Sequence, residues 1–212
     1  MLQVLVALTG TTLGRTQTQR SASMRSRLLD ATVDCLVEHG YACTTTTEVV
    51  RRAGVSRGAQ VHHFPTKQEL VLAAIEHVVE RRQEELRTTF GSLEPDQRTL
   101  TKALDLLWTI CCEPTFAAWL ELAVAARTDE ALRPRFVEME HHFARRMEEM
   151  FVEFCPASSD TRFARLAMEF AFAVQDGLAL QCHLCIDTHT DELLKMLKSL
   201  ATMFCADIGG AP

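Results

Sequence analysis

No stretch of this 212-residue chain is apolar for long enough to cross a membrane, which takes about 18 residues in a row. The apolar opening, Met1 to Leu8, is far shorter and lacks the basic flank of an export signal. Strict apolar/polar alternation is missing as well, so no strand is expected, and neither an internal repeat nor a low-complexity tract is present. There is no nucleophile elbow, no phosphate-cradling glycine loop and no paired catalytic motif. These gaps argue against a membrane span, a β architecture and the common enzyme plans, so no catalytic residue and no cofactor is assigned. With no export signal, the eight cysteines are expected as thiols in a reducing cytoplasm, mostly as small core residues.

What is present is an ordinary globular composition, 47% hydrophobic and 24% charged. The formal net charge of −6 hides an asymmetry: from Arg15 to Lys67 eight basic residues stand against four acidic ones, a net of +4, which leaves −10 for the remainder. Such a division suits a basic module that meets phosphate, joined to an acidic body that does not.

The basic part also carries the densest local signals. Thr45 followed by Glu48 is a capping box that opens a helix through Val49, Val50 and Ala53, and Gly54 supplies the positive φ of a tight turn. Ser56 caps a second helix a few residues later, Pro65 closes it, and Thr66 with Glu69 repeats the capping box. Two short helices around a glycine turn form a helix-turn-helix, whose second member can enter the major groove of DNA. Before them, Leu28, Leu29, Thr32, Val33, Cys35, Leu36 and Val37 recur at helical spacing up to a stop at Gly40. After them the pattern predicts helices from Thr66 towards Leu86, Arg98 to Cys111, Phe116 to Ala126 (apolar nearly all round, hence buried on every side), Pro134 to Phe154, Phe163 to Cys185 and Asp191 to Ala206, with a turn over Pro156 to Asp160. The expectation is an all-α chain of about nine helices: an extension over residues 1–22, a helix-turn-helix domain over 23–68, and a ligand-binding and dimerisation bundle over 69–212.

From Arg27 to Leu70 the residues resemble the TetR family of one-component transcriptional regulators: LLDATVDCLVEHGY for the first helix, TTTTEVVRRAGVS for the second helix and turn, RGAQVHHFPTKQEL for the recognition helix and the start of the fourth. The resemblance implies a cytoplasmic homodimer that binds a palindromic operator and is released, or occasionally recruited, by a small molecule. Gln60, Val61 and His62 depart from the family habit of an apolar residue followed by an aromatic pair, so the tyrosine that contacts phosphate in such members has no counterpart at Val61.

The candidate DNA contacts are Thr45, Thr47, Ser56, Arg57, Gly58, Ala59, Gln60, His62, His63 and Lys67. Arg57 suits a guanine edge or a phosphate, and Gly58 suits close approach to the DNA backbone. Phe64 reads as the core anchor of the head. For a small, largely apolar effector the candidates are Trp108, Phe116, Trp119, Leu120, Met147, Met150, Phe172 and Gln175, because Met and aromatic residues line adaptable cavities. For dimerisation they are Phe170, Val174, Gly177, Leu178, Gln181, Leu193, Leu197 and Leu200 on the last two helices. Cys182, His183, Cys185 and His189 lack a second pair at zinc spacing and read as buried thiols on a packed helix face, so no metal is expected. His141 and His142 read as a solvated stripe. Redox sensing by Cys111 or Cys112 requires a thiolate-stabilising environment.

Overall fold

The computed structural model describes residues 17–154, 161–186 and 189–209. Among them the chain is all-helical: α1 (Gln17–Cys43), α2 (Thr46–Ala53), α3 (Arg57–His63), α4 (Lys67–Gly91), a 3-10 turn (Pro95–Gln97), α5 (Leu100–Cys111), α6 (Pro114–Ala126), α7 (Arg133–Phe154), α8 (Thr161–His183) and α9 (Thr190–Gly209). No single described helix is long and apolar enough to cross a membrane.

The helix starts follow the capping chemistry. Thr45, Ser56 and Thr99 each accept a backbone N–H three residues on, and Thr66 forms the full reciprocal box with Glu69. Pro114 does not merely end α5; it occupies the first turn of α6, where its missing N–H costs nothing. The expected extension is shorter than its assigned span. Positions 17–22 belong to α1, because nothing between Gln17 and Met24 breaks a helix, while positions 1–16 and the expected turn over 156–160 lie outside the described residues.

The expected stop at Gly40 is a break inside α1. Gly40 takes φ 70° and ψ 173°, and helical hydrogen bonding resumes to Cys43. The amide of Tyr41, freed by the break, donates to Glu121 Oε2 of α6 at 2.9 Å. A β-carbon on Gly40 would stand 2.7 Å from that oxygen.

Two cores share α1 and α4. One face of α1 (Leu28, Leu29, Cys35) and one of α4 (Leu70, Ala74, Val78) close over Val49, Ala53 and Phe64, which makes the head. Leu36 of α1 with Val71, Leu72 and Ile75 of α4 turns the other way and packs on Ala118 and Leu122 of α6, on Leu132, and on Phe136 and Met139 of α7. Each such leucine or isoleucine, fully buried, contributes about 1.5–3 kcal/mol, so head and body are held by continuous apolar contact and not by a linker. A third group, Leu104, Ala171 and Leu197, joins α5, α8 and α9.

Three expectations fail here. α6 is not buried on every side: Phe116, Ala118, Leu122 and Ala126 are buried, but Val124 is 58% exposed because α1, α4 and α7 leave that face uncovered. Cys182 and Cys185 are exposed, since α8 ends at His183 and the chain turns through a left-handed Cys185 at φ 54°. Leu178 and Leu197, expected at a dimer surface, are 5% and 4% exposed within the single chain.

Gly54 adopts φ 59° at the turn, and a β-carbon there would meet Arg27 Nη2 at 2.8 Å. That guanidinium donates to the carbonyls of Ala53 and Gly54 and locks α1 onto the turn. Gly54→Ala is therefore expected to destabilise the chain by about 1–2 kcal/mol in urea unfolding. Asp176 is half-buried, and its carboxyl is pushed up to about 6 from 3.8 by burial, with the Glu140 carboxylate adding to the rise. The folded chain holds this proton more tightly than the unfolded one, so stability falls as pH rises between those values. The full shift corresponds to about 3 kcal/mol, and partial exposure reduces it to about 1–2 kcal/mol. Asp176→Asn is expected to stabilise the chain by that amount at pH 8 and by little at pH 4; an equal gain at both, measured by thermal melting, contradicts this.

Candidate nucleic-acid interface

α2 and α3 are short, eight and seven residues. They hold their angle because Gly54, with its N–H bonded back to α2, reverses the chain into the Ser56 cap. The first turn of α3 thereby lies on the surface: Ser56, Arg57 and Gly58 are exposed, as are Val61 and His62 a turn later and Thr47 on α2. Thr45 Oγ1 accepts the Glu48 amide at 3.2 Å and Ser56 Oγ the Ala59 amide at 3.1 Å. Each hydroxyl uses a lone pair as the cap and keeps its own O–H to donate to a phosphate oxygen.

Most of the head's positive charge is committed internally. Arg51 is bidentate to Glu48 at 2.8 and 2.5 Å, and Arg52 is bidentate to Glu38 at 2.7 and 2.6 Å. Arg27 serves the turn. Lys67 differs from expectation: its half-buried ammonium donates to the Tyr41 carbonyl at 2.6 Å, lies 4.3 Å from the centre of the Tyr41 ring, and has its pKa lowered by burial. Arg57, at the tip of α3, makes no hydrogen bond or ion pair among the described residues.

Gln60 is a correction. Expected on the surface, it is 2% exposed, and its Nε2 donates to the Phe64 carbonyl at 2.5 Å, closing the C-terminal end of α3. An amide at a core position finds a backbone partner, and no part of it is left for DNA. His63 is half-buried with its pKa lowered, first by burial and then by His62 and Arg25. Arg25 went unselected in the sequence. It is exposed on α1, with its guanidinium 5.4 Å from the centre of the Phe64 ring, which places a cation beside the end of α3. Its only sequence signal was membership of the basic run, since the phase of α1 relative to α3 is a tertiary fact.

The expected effector residues fall into separate places. Trp108, Phe116 and Trp119 gather with Cys111 and Ala179 in one cluster; Phe116 stacks on His183 at 5.5 Å, and Trp119 Nε1 donates to Glu140 at 2.7 Å. Leu120 is half-buried on the same helix. Phe172 packs on Phe143 with ring centres 5.6 Å apart. Gln175 is wholly buried, its Nε2 bonded to the Leu104 carbonyl at 2.9 Å and its Oε1 without a partner among the described residues. Met147 and Met150 instead line an open cleft with Gln83 and Arg87. Burial pushes the Cys111 thiol up to about 12 and raises that of Cys112, the opposite of what a redox-sensing thiolate needs.

On α8 and α9 the dimer candidates divide by exposure. Phe170, Leu193 and Leu200 are exposed at 49%, 38% and 38%, Gly177 has open space where a side chain would be, and Gln181 is half-buried. Val174 and Leu197 are drawn inward where α5, α8 and α9 of the same chain meet, and Leu178 is buried as well. Leu166, Leu180, Leu184, Met196 and Met203, not selected from the sequence, extend the exposed apolar stripe.

Residues 28–74 match the model of the bacterial regulatory proteins of the tetR family. Over 119 residues the chain is 40% identical to the HTH-type transcriptional regulator CymR of Pseudomonas putida, covering 56% of this chain and 59% of that protein. Over 121 residues it is 38% identical to an uncharacterised HTH-type transcriptional regulator of Mycobacterium tuberculosis, covering 57% and 62%. The chain thus spans about three-fifths of the length of these relatives. A TetR-family structure from Rhodococcus superposes with a TM-score of 0.68 over 86% of this chain and 98% of that one; at 19% identity the likeness is one of fold. Head, turn and matched residues coincide: residues 28–74, which form the α1–α4 head, are what this chain shares with the tetR family of bacterial regulatory proteins.

Proposed function

We propose that the chain is a DNA-binding transcriptional regulator, a dimeric repressor that holds a palindromic operator and is released by a small molecule bound in its body. The observation that carries this reading is the first turn of α3: exposed, capped by Ser56, with Arg57 uncommitted and Gly58 leaving room for a close backbone. Thr45, Thr47, Ala59, His62 and His63 flank it as supporting contacts, and Lys67 positions α4 through Tyr41.

The dimer reading rests on α8 and α9. Leu166, Phe170, Gly177 and Leu180 fall along one stripe of α8, with Leu184 in the turn just past its end, and Leu193, Met196, Leu200 and Met203 along one of α9, all exposed. Apolar residues repeated at this spacing are stable only against another such face, and a second copy supplies it as an intermolecular four-helix bundle. Two recognition helices must then lie about 34–36 Å apart to meet successive major grooves. An effector acts only through different affinity for the DNA-competent and incompetent spacings.

Selection of bound duplexes from a random-sequence pool at moderate salt is expected to return a two-fold symmetric site; recovery of unenriched sequence contradicts the reading. Arg57→Ala is expected to weaken binding to that site by about 1–3 kcal/mol relative to mixed-sequence DNA if Arg57 reads a base. Leu184→Glu places a charge in the proposed bundle. It is expected to give a monomer in sedimentation velocity that no longer holds the symmetric site, and an intact dimer would remove this face from the interface.

A further inference from the structure

The body carries a net negative charge, yet one cleft in it is lined with cations. Between α4 and α7 lies an opening of about 350 Å³, bounded by Gln83 and Arg87 on α4 and by His142, Arg145, Arg146, Met147, Glu149 and Met150 on α7. The volume is in the range of small-molecule sites. Three arginines and a histidine face a single carboxylate there.

Several of the body's arginines are tied to partners within the chain. Arg82 is paired with Glu85 and Glu113, Arg98 donates to the carbonyls of Leu93 and Gly91, and Arg133 donates to those of Ala126 and Arg127. Arg145 and Arg146 are exposed and have no hydrogen bond or ion pair among the described residues. The floor between them is different in character: Met147 is 3% exposed, Met150 is half-buried, and Gln83 is 5% exposed with its Nε2 directed to the Phe143 carbonyl at 3.4 Å. Uncommitted guanidinium groups beside flexible thioethers make a site for a charged head on an apolar tail.

We infer that this cleft binds an organic anion with a short apolar tail, its phosphate, sulfate or carboxylate head held by Arg145 and Arg146 and its tail laid on Met147 and Met150. DNA is excluded as the source of the anion, because Arg87 lies about 30 Å along α4 from Lys67 at the helical rise, well away from the head. The inference rests on the regulator reading only in making this anion the effector. α4 runs unbroken from the head to the cleft and lines one wall of it with Gln83, so an anion held by Arg145 and Arg146 against that wall favours one setting of α4 over another, and with it one separation of the recognition helices.

The test uses octyl phosphate, octyltrimethylammonium and inorganic phosphate, titrated calorimetrically at constant ionic strength into the full chain and into Arg145→Gln/Arg146→Gln. One octyl phosphate per chain is expected to bind the wild type at least about tenfold more tightly than the double variant and than inorganic phosphate binds, a difference of about 1.4 kcal/mol. The ammonium amphiphile is expected to give no binding. Equal affinity in the double variant, an equally tight ammonium amphiphile, or inorganic phosphate binding as tightly as octyl phosphate overturns the inference. Arg146→Glu alone, with circular dichroism of every variant, separates a lost site from a lost fold and is expected to weaken octyl phosphate in the same direction. In a second arm octyl phosphate is expected to change the affinity of the wild type, and not of the double variant, for its selected duplex. A wild type that binds both octyl phosphate and DNA without coupling between them overturns the effector role. A chain that binds octyl phosphate but no specific DNA overturns the regulator reading and leaves the anion site standing.

Discussion

Tyr41 is where the separate parts of the molecule meet. Its amide, freed by the left-handed break at Gly40, donates to Glu121 of α6; its carbonyl accepts the Lys67 ammonium at the start of α4; and its hydroxyl reaches Asp129, beyond α6, at 3.5 Å. Glycine is required at position 40 twice over, for a backbone angle that side-chain-bearing residues avoid and for the space that the Glu121 carboxylate occupies. Without that break α1 would run straight on, and the Glu121 carboxylate would lose its backbone donor. α1 packs on the head through Leu28, Leu29 and Cys35 and on the body through Leu36, all ahead of the bend, and Tyr41 beyond it adds a partly buried contact to the body.

That arrangement changes how the head's charge is understood. Counted along the sequence, the region is basic enough to bind phosphate anywhere on its surface. In three dimensions Arg27, Arg51, Arg52 and Lys67 hold the turn, α2 and the α1–α4 junction together, and the exposed charge that remains is Arg57 at the tip of α3 with Arg25 and Arg20 on α1. On the proposed reading, such a head would draw its affinity for DNA from few cations, backbone amides and hydroxyls, with a shallower dependence on salt than the bare count implies. In the proposed dimer, pairing two such heads is what would make a symmetric operator a specific target.

How far the fold was legible in the sequence depends on the range of the interactions involved. Caps and turns act over three or four residues, and Thr45, Gly54, Ser56 and Thr66 marked their helices correctly. Gln60 and Lys67 were misplaced because nothing local says that an amide will turn inward to Phe64 or that a lysine will lie over a tyrosine 26 residues away. The all-helical body was legible from periodicity, but its surfaces were not. α8 and α9 each carry apolar residues on more than one face, and packing with Leu104 of α5 turns Ala171 and Leu197 inward while Phe170 and Met196 stay out. The cationic cleft gave no sequence signal, because Arg87 and Arg145 are brought together by the packing of α4 on α7.

Whether two such heads on one dimer read a two-fold symmetric DNA site is decided by DNase I footprinting of the wild-type chain on DNA flanking its own coding sequence. Two protected half-sites related by a two-fold axis are expected, with centres one helical turn, about 10 base pairs, or a multiple of it apart. Protection of a single unrepeated half-site, or none at protein concentrations where the dimer is formed, is incompatible with a paired reading of DNA by this fold.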